Sequence, residues 1–206
     1  MFRRHFLSGA DEGAGRRLGE VWQQGDFPFY FVQITPNTYN GTLPLLLEAQ
    51  SAAMAIPHTG MAASTDTCGP EDNFGGGHPH NKQQIGRRLA LWVLAKDHGR
   101  KDLVYCGPRF KELRREGDRL RVAFDRIGGG LVTRDEKAPD SFEIAGADGN
   151  FVPATAMIEG ASVLIHSDQV ADPAAMRFAW KDLAQPNLMN KEGLPVSVFR
   201  AALGRE

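Results

Sequence analysis

The sequence predicts an α/β protein in two parts: a parallel sheet with helices over residues 1–102, then an antiparallel β-sandwich over residues 103–206. Three observations carry this. Two apolar runs, Phe27–Ile34 and Gly60–Thr65, alternate with two segments of helical period, and the order strand, helix, strand, helix implies parallel strands with helices on the sheet faces. After Gly99 the texture changes to short alternating runs. The pairs Gly117-Asp118 and Glu159-Gly160 divide those runs into two hairpins.

Taken in order, residues 1–19 have no sustained period and are expected to fray. Phe27–Ile34 is aromatic and β-branched, with Pro28 at its start, as a buried strand requires. Leu43–Met54 reads as a helix with Pro44 in its first turn. Behind His78-Pro79, the residues Ile85, Leu89, Trp92 and Ala95 recur at helical spacing, widened by Leu91 and Leu94, with Lys82, Arg87 and Arg88 towards the polar side. Gly99 stops this helix, and Lys96, His98 and Arg100 suit its negative end. The later runs Lys111–Arg115, Arg119–Phe124, Ser141–Ile144, Ala154–Ile158, Ser162–Ile165 and Ala175–Trp180 build the sandwich.

Composition is that of an ordinary globular protein, 42% hydrophobic and 24% charged. With 24 basic against 25 acidic residues the net charge is −1, so no whole-chain field gathers nucleic acid or an anionic membrane. No stretch reaches the roughly 20 apolar residues of a membrane helix, and Phe6-Leu7 is followed at once by Ser8, Asp11 and Glu12, leaving no signal-peptide core. Cys68 and Cys106 are either one disulfide or two thiols.

The chemistry concentrates in the loop from Asp66 to His78, which carries acids, glycines and one histidine at a strand end. Ligands of parallel sheets lie beyond the carboxyl ends of the strands, where Gln33, Asp66 and this loop gather. A histidine base needs a carboxylate on its second nitrogen to fix the tautomer, and Asp66 or Asp72 can supply it to His78. The plain alternative is that Asp72-Asn73 makes a turn and His78 merely caps a helix. His78, His80, Asp66, Asp72 and Cys68 are also potential metal ligands, but their spacing matches no recurrent site, so neither a metal nor another cofactor is expected.

One set of ordered motifs resembles the sialate O-acetylesterase family of SGNH-type serine esterases. It runs from Trp22-x-x-Gly25-Asp26-x-Pro28-Phe29-x-x-Val32-Gln33 through Glu48-Ala49-Gln50 and Asp66 to His78-Pro79-x-Asn81-Lys82-Gln83-x-x-Gly86-x-Arg88-Leu89-Ala90. Gly107-Pro108, Phe142–Gly146, Arg177–Trp180, Asn187-Leu188 and Gly193–Pro195 continue it, so that it spans about residues 20 to 200. The resemblance implies the carboxyl-terminal part of an SGNH-like parallel-sheet esterase domain followed by the sandwich. It also implies a hydrolase that releases acetyl groups from sialic acid or related O-acetylated carbohydrates, and an extracytoplasmic location.

His78 carries over as the base. Asp66 matches the acid at the strand end, while Asp72 matches one nearer the His-Pro pair, with Asn73–Gly77 lengthening the gap. Gln33, Arg177 and Trp180 are the expected substrate contacts, Arg177 and Trp180 having packing of the sandwich as the alternative. Two departures stand out: Leu47 replaces a commonly basic residue, and the family's nucleophile element is absent, with Ser8, Ser51 and Ser64 poorly placed to replace it. A base without its serine loses most of its effect, so a non-catalytic glycan- or partner-binding fragment is the rival reading. Strands of the family's remaining part would cover the edge beside Phe27–Ile34, and an uncovered edge invites self-association.

Overall fold

In the computed structural model, residues 20–69 and 78–204 are described. The chain is a mixed α/β structure with few helices, in which antiparallel pairing dominates. The first part contains β1 (Phe29–Val32), α1 (Leu43–Ala53), β2 (Thr59–Ala62) and α2 (Lys82–Lys96). Strands β1 and β2 are parallel, with Phe29 opposite Thr59 and Val32 opposite Ala62, and form a two-stranded sheet. Both strands are shorter than the predicted runs. Beyond Val32, the Gln33 amide still reaches Ala62 O (2.9 Å), but Ile34 N donates to the Gln50 side chain (3.1 Å) instead of a strand.

The two edges of this sheet are treated differently. On the outer edge of β2, side chains of α2 satisfy the strand's carbonyls: Trp92 Nε1 donates to Met61 O (2.9 Å) and Arg88 Nη1 to Ala63 O (2.7 Å). Buried carbonyls need such partners. Gly60 makes the arrangement fit, because a Cβ there would lie 2.5 Å from the Trp92 ring. At the far end of α2, the Tyr30 hydroxyl donates to the Asp97 carboxylate (2.9 Å). Burial and then that carboxylate push the Tyr30 pKa up to about 12.

From residue 109 the chain is strands and turns. One four-stranded antiparallel sheet has the order β3 (Arg109–Glu116), β4 (Arg119–Asp125), β9 (Ser162–His166), β8 (Thr155–Glu159). A second runs β12 (Phe199–Ala202), β10 (Ala175–Phe178), β6 (Phe142–Ala145), β7 (Val152–Pro153), and β5 (Leu131–Thr133) pairs with β11 (Leu188–Asn190). The expected hairpins form about Gly117 and Gly160, both at positive φ (66° and 62°).

Alternate residues of both large sheets enter one buried cluster: Leu120, Val122 and Phe124 from β4, Phe142 and Ile144 from β6, Met176 and Phe178 from β10. The Phe142 and Phe178 rings lie 4.7 Å apart, and Phe199 stacks on Phe110 at 5.1 Å. Leu43 and Leu47 of α1 belong to the same cluster, so the aliphatic residue at position 47 is a core contact.

Asp182 ties the start of α1 to the antiparallel part, accepting from the backbone N–H of Tyr39 (2.6 Å), Gly41 (2.8 Å) and Leu43 (3.1 Å). Thr42 makes no side-chain cap, so Asp182 supplies a remote one. Burial alone would push its carboxyl up, but the three backbone donors outweigh that and hold it below the usual carboxylate range. Asp182→Ala is expected to cost about 2 kcal/mol in urea unfolding at neutral pH. Because the folded value is depressed, the contribution is complete above the unfolded pKa of about 4 and is lost as pH falls through the folded value. The gap between variant and wild type should therefore narrow in acid.

Candidate functional site

Contacts along α2 fix where its amino terminus lies. Asp97 touches Tyr30 of β1, Trp92 reaches Met61, and Arg88 reaches Ala63 and Asp66 just past β2. The helix thus runs antiparallel to β2, and its first residue lies about 9 Å further along at 1.5 Å per residue. His78, four residues earlier, stands beyond the carboxyl end of the strand.

The entrance to α2 is held locally. Asn81 Oδ1 accepts from Gln84 N (3.1 Å), Lys82 N donates to His80 O (2.8 Å), and Lys82 Nζ bonds Pro79 O. Pro79 is buried and His78 exposed, so the imidazole is presented to solvent from an anchored base. A titratable side chain placed there can exchange protons with a bound molecule.

Asp66 and His78 are not joined by a hydrogen bond or ion pair. Asp66 instead forms a bidentate pair with Arg88, Oδ1 to Nη1 at 2.6 Å and Oδ2 to Nη2 at 2.7 Å, with 11% and 2% of their side chains exposed. Arg88 also donates to Gly193 O (3.3 Å), in a turn where Gly193 N bonds Asn190 O. The sequence puts Arg88 towards the polar side of α2, and the structure corrects this. The guanidinium is buried because a carboxylate neutralises it and two carbonyls accept from it. Asp72 lies outside the described residues, as does Ser8.

Gln33 is fully buried: Nε2 donates to Leu47 O and Ser51 Oγ, both at 3.3 Å, and Oε1 accepts from Ser197 Oγ (3.5 Å). Ser64, also fully buried, donates to Gln33 O (2.5 Å). Ser51 lies in α1, so neither serine is brought to His78 as a nucleophile. Arg177 pairs with Glu143 (2.7 Å) and stacks over Phe151 (4.4 Å). The Trp180 ring lies under the Arg200 guanidinium (4.9 Å), which pairs in turn with Glu48 of α1. These groups stitch elements together through the contacts just given.

Sequence reasoning missed two buried hydroxyls past the strand ends, Thr35 Oγ1 and Thr65 Oγ1, which have no hydrogen-bond partner among the described residues. No periodicity signal marks them. A cavity of about 230 Å³ lies elsewhere, between the outer edge of β2 and the segments Tyr105–Phe110 and Leu194–Phe199. Cys106 lines it, and burial pushes that thiol's pKa up. No disulfide joins Cys106 to Cys68. Among the described residues no cluster of three or more His, Cys, Asp or Glu side chains could hold a metal, and no helix is long and apolar enough to cross a membrane.

No protein-family model matches the chain. It is 29% identical over 171 residues to the sialate O-acetylesterase of Rattus norvegicus, a match covering 75% of this chain and 31% of that protein. The Mus musculus sialate O-acetylesterase is 32% identical over 112 residues, covering 48% of this chain and 21% of the relative. Among solved structures, a carbohydrate acetylesterase from Xanthomonas citri superposes with a TM-score of 0.83 at 36% identity, covering 94% of this chain and 45% of that one. The chain thus spans less than a third of the rat protein and under half of the bacterial one. These likenesses, each to part of a longer esterase, support membership of the sialate O-acetylesterase family at a carboxyl-terminal portion.

Proposed function

We propose that this chain is the base-bearing portion of a carbohydrate O-acetylesterase, built from part of an SGNH-like sheet and a β-sandwich that meet near residue 102. The observation that carries the reading is the exposed His78, held by Pro79, Asn81 and Lys82 beyond the carboxyl end of β2. The family names of its relatives support an esterase-like chemistry. In this reading His78 takes the proton of a serine hydroxyl as that oxygen attacks the acetyl carbonyl, then returns it to the departing sugar hydroxyl. The serine comes from outside the described residues, since Ser64 is sealed behind Gln33 and Ser51 sits within α1.

An aspartate orients the imidazole. Both oxygens of Asp66 are taken by Arg88, which favours Asp72 for that role and gives Asp66 the task of fixing where the loop leaves β2. The substrate class is an O-acetylated sugar such as sialic acid.

The test is a chimera in which this chain replaces the matching part of the Xanthomonas citri acetylesterase, assayed for acetate release. His78→Ala should lower kcat/KM by about 10³-fold or more with an unchanged melting temperature. Turnover within a factor of about three of the parent would remove His78 from catalysis. Glycan binding by the 206-residue chain with no acetate release from the chimera would favour a binding module.

A further inference from the structure

The cavity of about 230 Å³ beside the outer edge of β2 is lined from both parts of the chain, and His78 is not among its lining residues. Its buried lining includes Met61, Trp92, Leu194 and Val198. An apolar cavity of about 150 Å³ holds benzene, so a substituted ring fits here. Hydrogen-bond capacity on this lining is lopsided. Met61 O, Ala63 O, Cys106 O and Leu194 O each already accept a bond, from Trp92 Nε1, Arg88 Nη1, Asn190 Nδ2 and Asn190 N in turn. Two donors stay open. Arg88 Nε is buried without a partner among the described residues, and there the half-buried Arg109 guanidinium makes no ion pair.

Charge leans the same way. Lys96 Nζ lies 4.6 Å from the centre of the Tyr105 ring and the Arg126 guanidinium 5.7 Å from it. With Arg109 they are the cations that act on the adjoining Cys106 thiol, against the single carboxylate of Asp125. None of the three pairs with a carboxylate among the described residues. We propose that this cavity binds a small aromatic carboxylate, its ring against Trp92 and Met61 and its carboxylate accepting from Arg109. The wall opposite β2 is pre-formed. Asn190 Nδ2 holds Cys106 O (3.3 Å), and Gly107 packs on the Pro195 backbone too closely to admit a Cβ, so little ordering is left for the ligand to impose. The site is separate from the His78 chemistry and does not rest on the esterase reading.

Titration calorimetry of the 206-residue chain with phenylacetate should show one site with a Kd on the order of 0.1 mM. Phenylacetamide has the same shape without the charge and should bind at least about tenfold more weakly. Phenylacetate should also slow alkylation of Cys106 by iodoacetamide, read by peptide mass spectrometry, with half-maximal protection at the same concentration. Arg109→Gln should weaken phenylacetate at least about tenfold, with near-UV circular dichroism identical to wild type showing that the variant folds. The Cys106 protection is read in the wild-type chain and decides the location whether or not that variant folds. No saturable binding up to about 10 mM overturns the inference, as does an amide that binds as well as the carboxylate. Binding that leaves the labelling of Cys106 unchanged, or that survives in folded Arg109→Gln, places the ligand elsewhere and overturns it too. The chimera with the Xanthomonas citri enzyme should bind phenylacetate as the chain does; loss of binding there means that the rest of that enzyme fills the cavity, and the inference falls.

Discussion

Arg88→Met is expected to lower the stability of the chain by about 3–5 kcal/mol, the largest single loss at any charged side chain described above. Methionine keeps much of the volume and removes the charge and donors. Asp66 would then sit with most of its surface covered and both oxygens deprived of their guanidinium partner. Ala63 O and Gly193 O would each lose a donor as well. Urea unfolding monitored by circular dichroism measures the cost. Adding Asp66→Asn to the variant should recover part of it, because the second change removes the stranded charge. A loss below about 1 kcal/mol would mean that the pair behaves like an exposed one and does not hold the loop.

Gly107→Ala should cost about 3 kcal/mol, at the upper end for overpacking. A Cβ there would fall inside the Pro195 carbonyl, 2.9 Å from its carbon and 3.0 Å from Leu194 O. Those are backbone atoms in a segment fixed by Asn190 N to Leu194 O (3.0 Å) and Val196 N to Leu188 O (3.1 Å), so nothing flexible can yield. Gly86→Ala is the matched control. It lies in α2 with no atom within 4 Å of its added Cβ, and should stabilise by roughly 0.5–1 kcal/mol. Equal effects of the two substitutions would show that helix propensity, and not the close approach at residue 107, decides the outcome.

Much of the frame is legible in the sequence because it is written in local terms. The period of Ile85, Leu89 and Trp92, the turn pairs Gly117-Asp118 and Glu159-Gly160, and the stop at Gly99 each state their conformation within a few residues. Pro79 and Asn81 likewise mark the entrance to α2, which puts His78 where it is. Burial of a polar side chain is another matter, since it depends on a partner distant in sequence. Arg88 reads as surface on its helix until Asp66, 22 residues earlier, and Gly193, 105 residues later, meet it. Gln33 ends a strand where a ligand would lie, but its amide turns inward to Leu47 and Ser51. Asp182 has no motif, because its three partners are backbone amides some 140 residues away.

The side chains that Trp92 and Arg88 lay over the outer carbonyls of β2 act there as a neighbouring strand would. That border is closed to a further strand. With Met61 O and Ala63 O already taken, β2 offers no row of open acceptors on that side from which an apolar sheet could propagate.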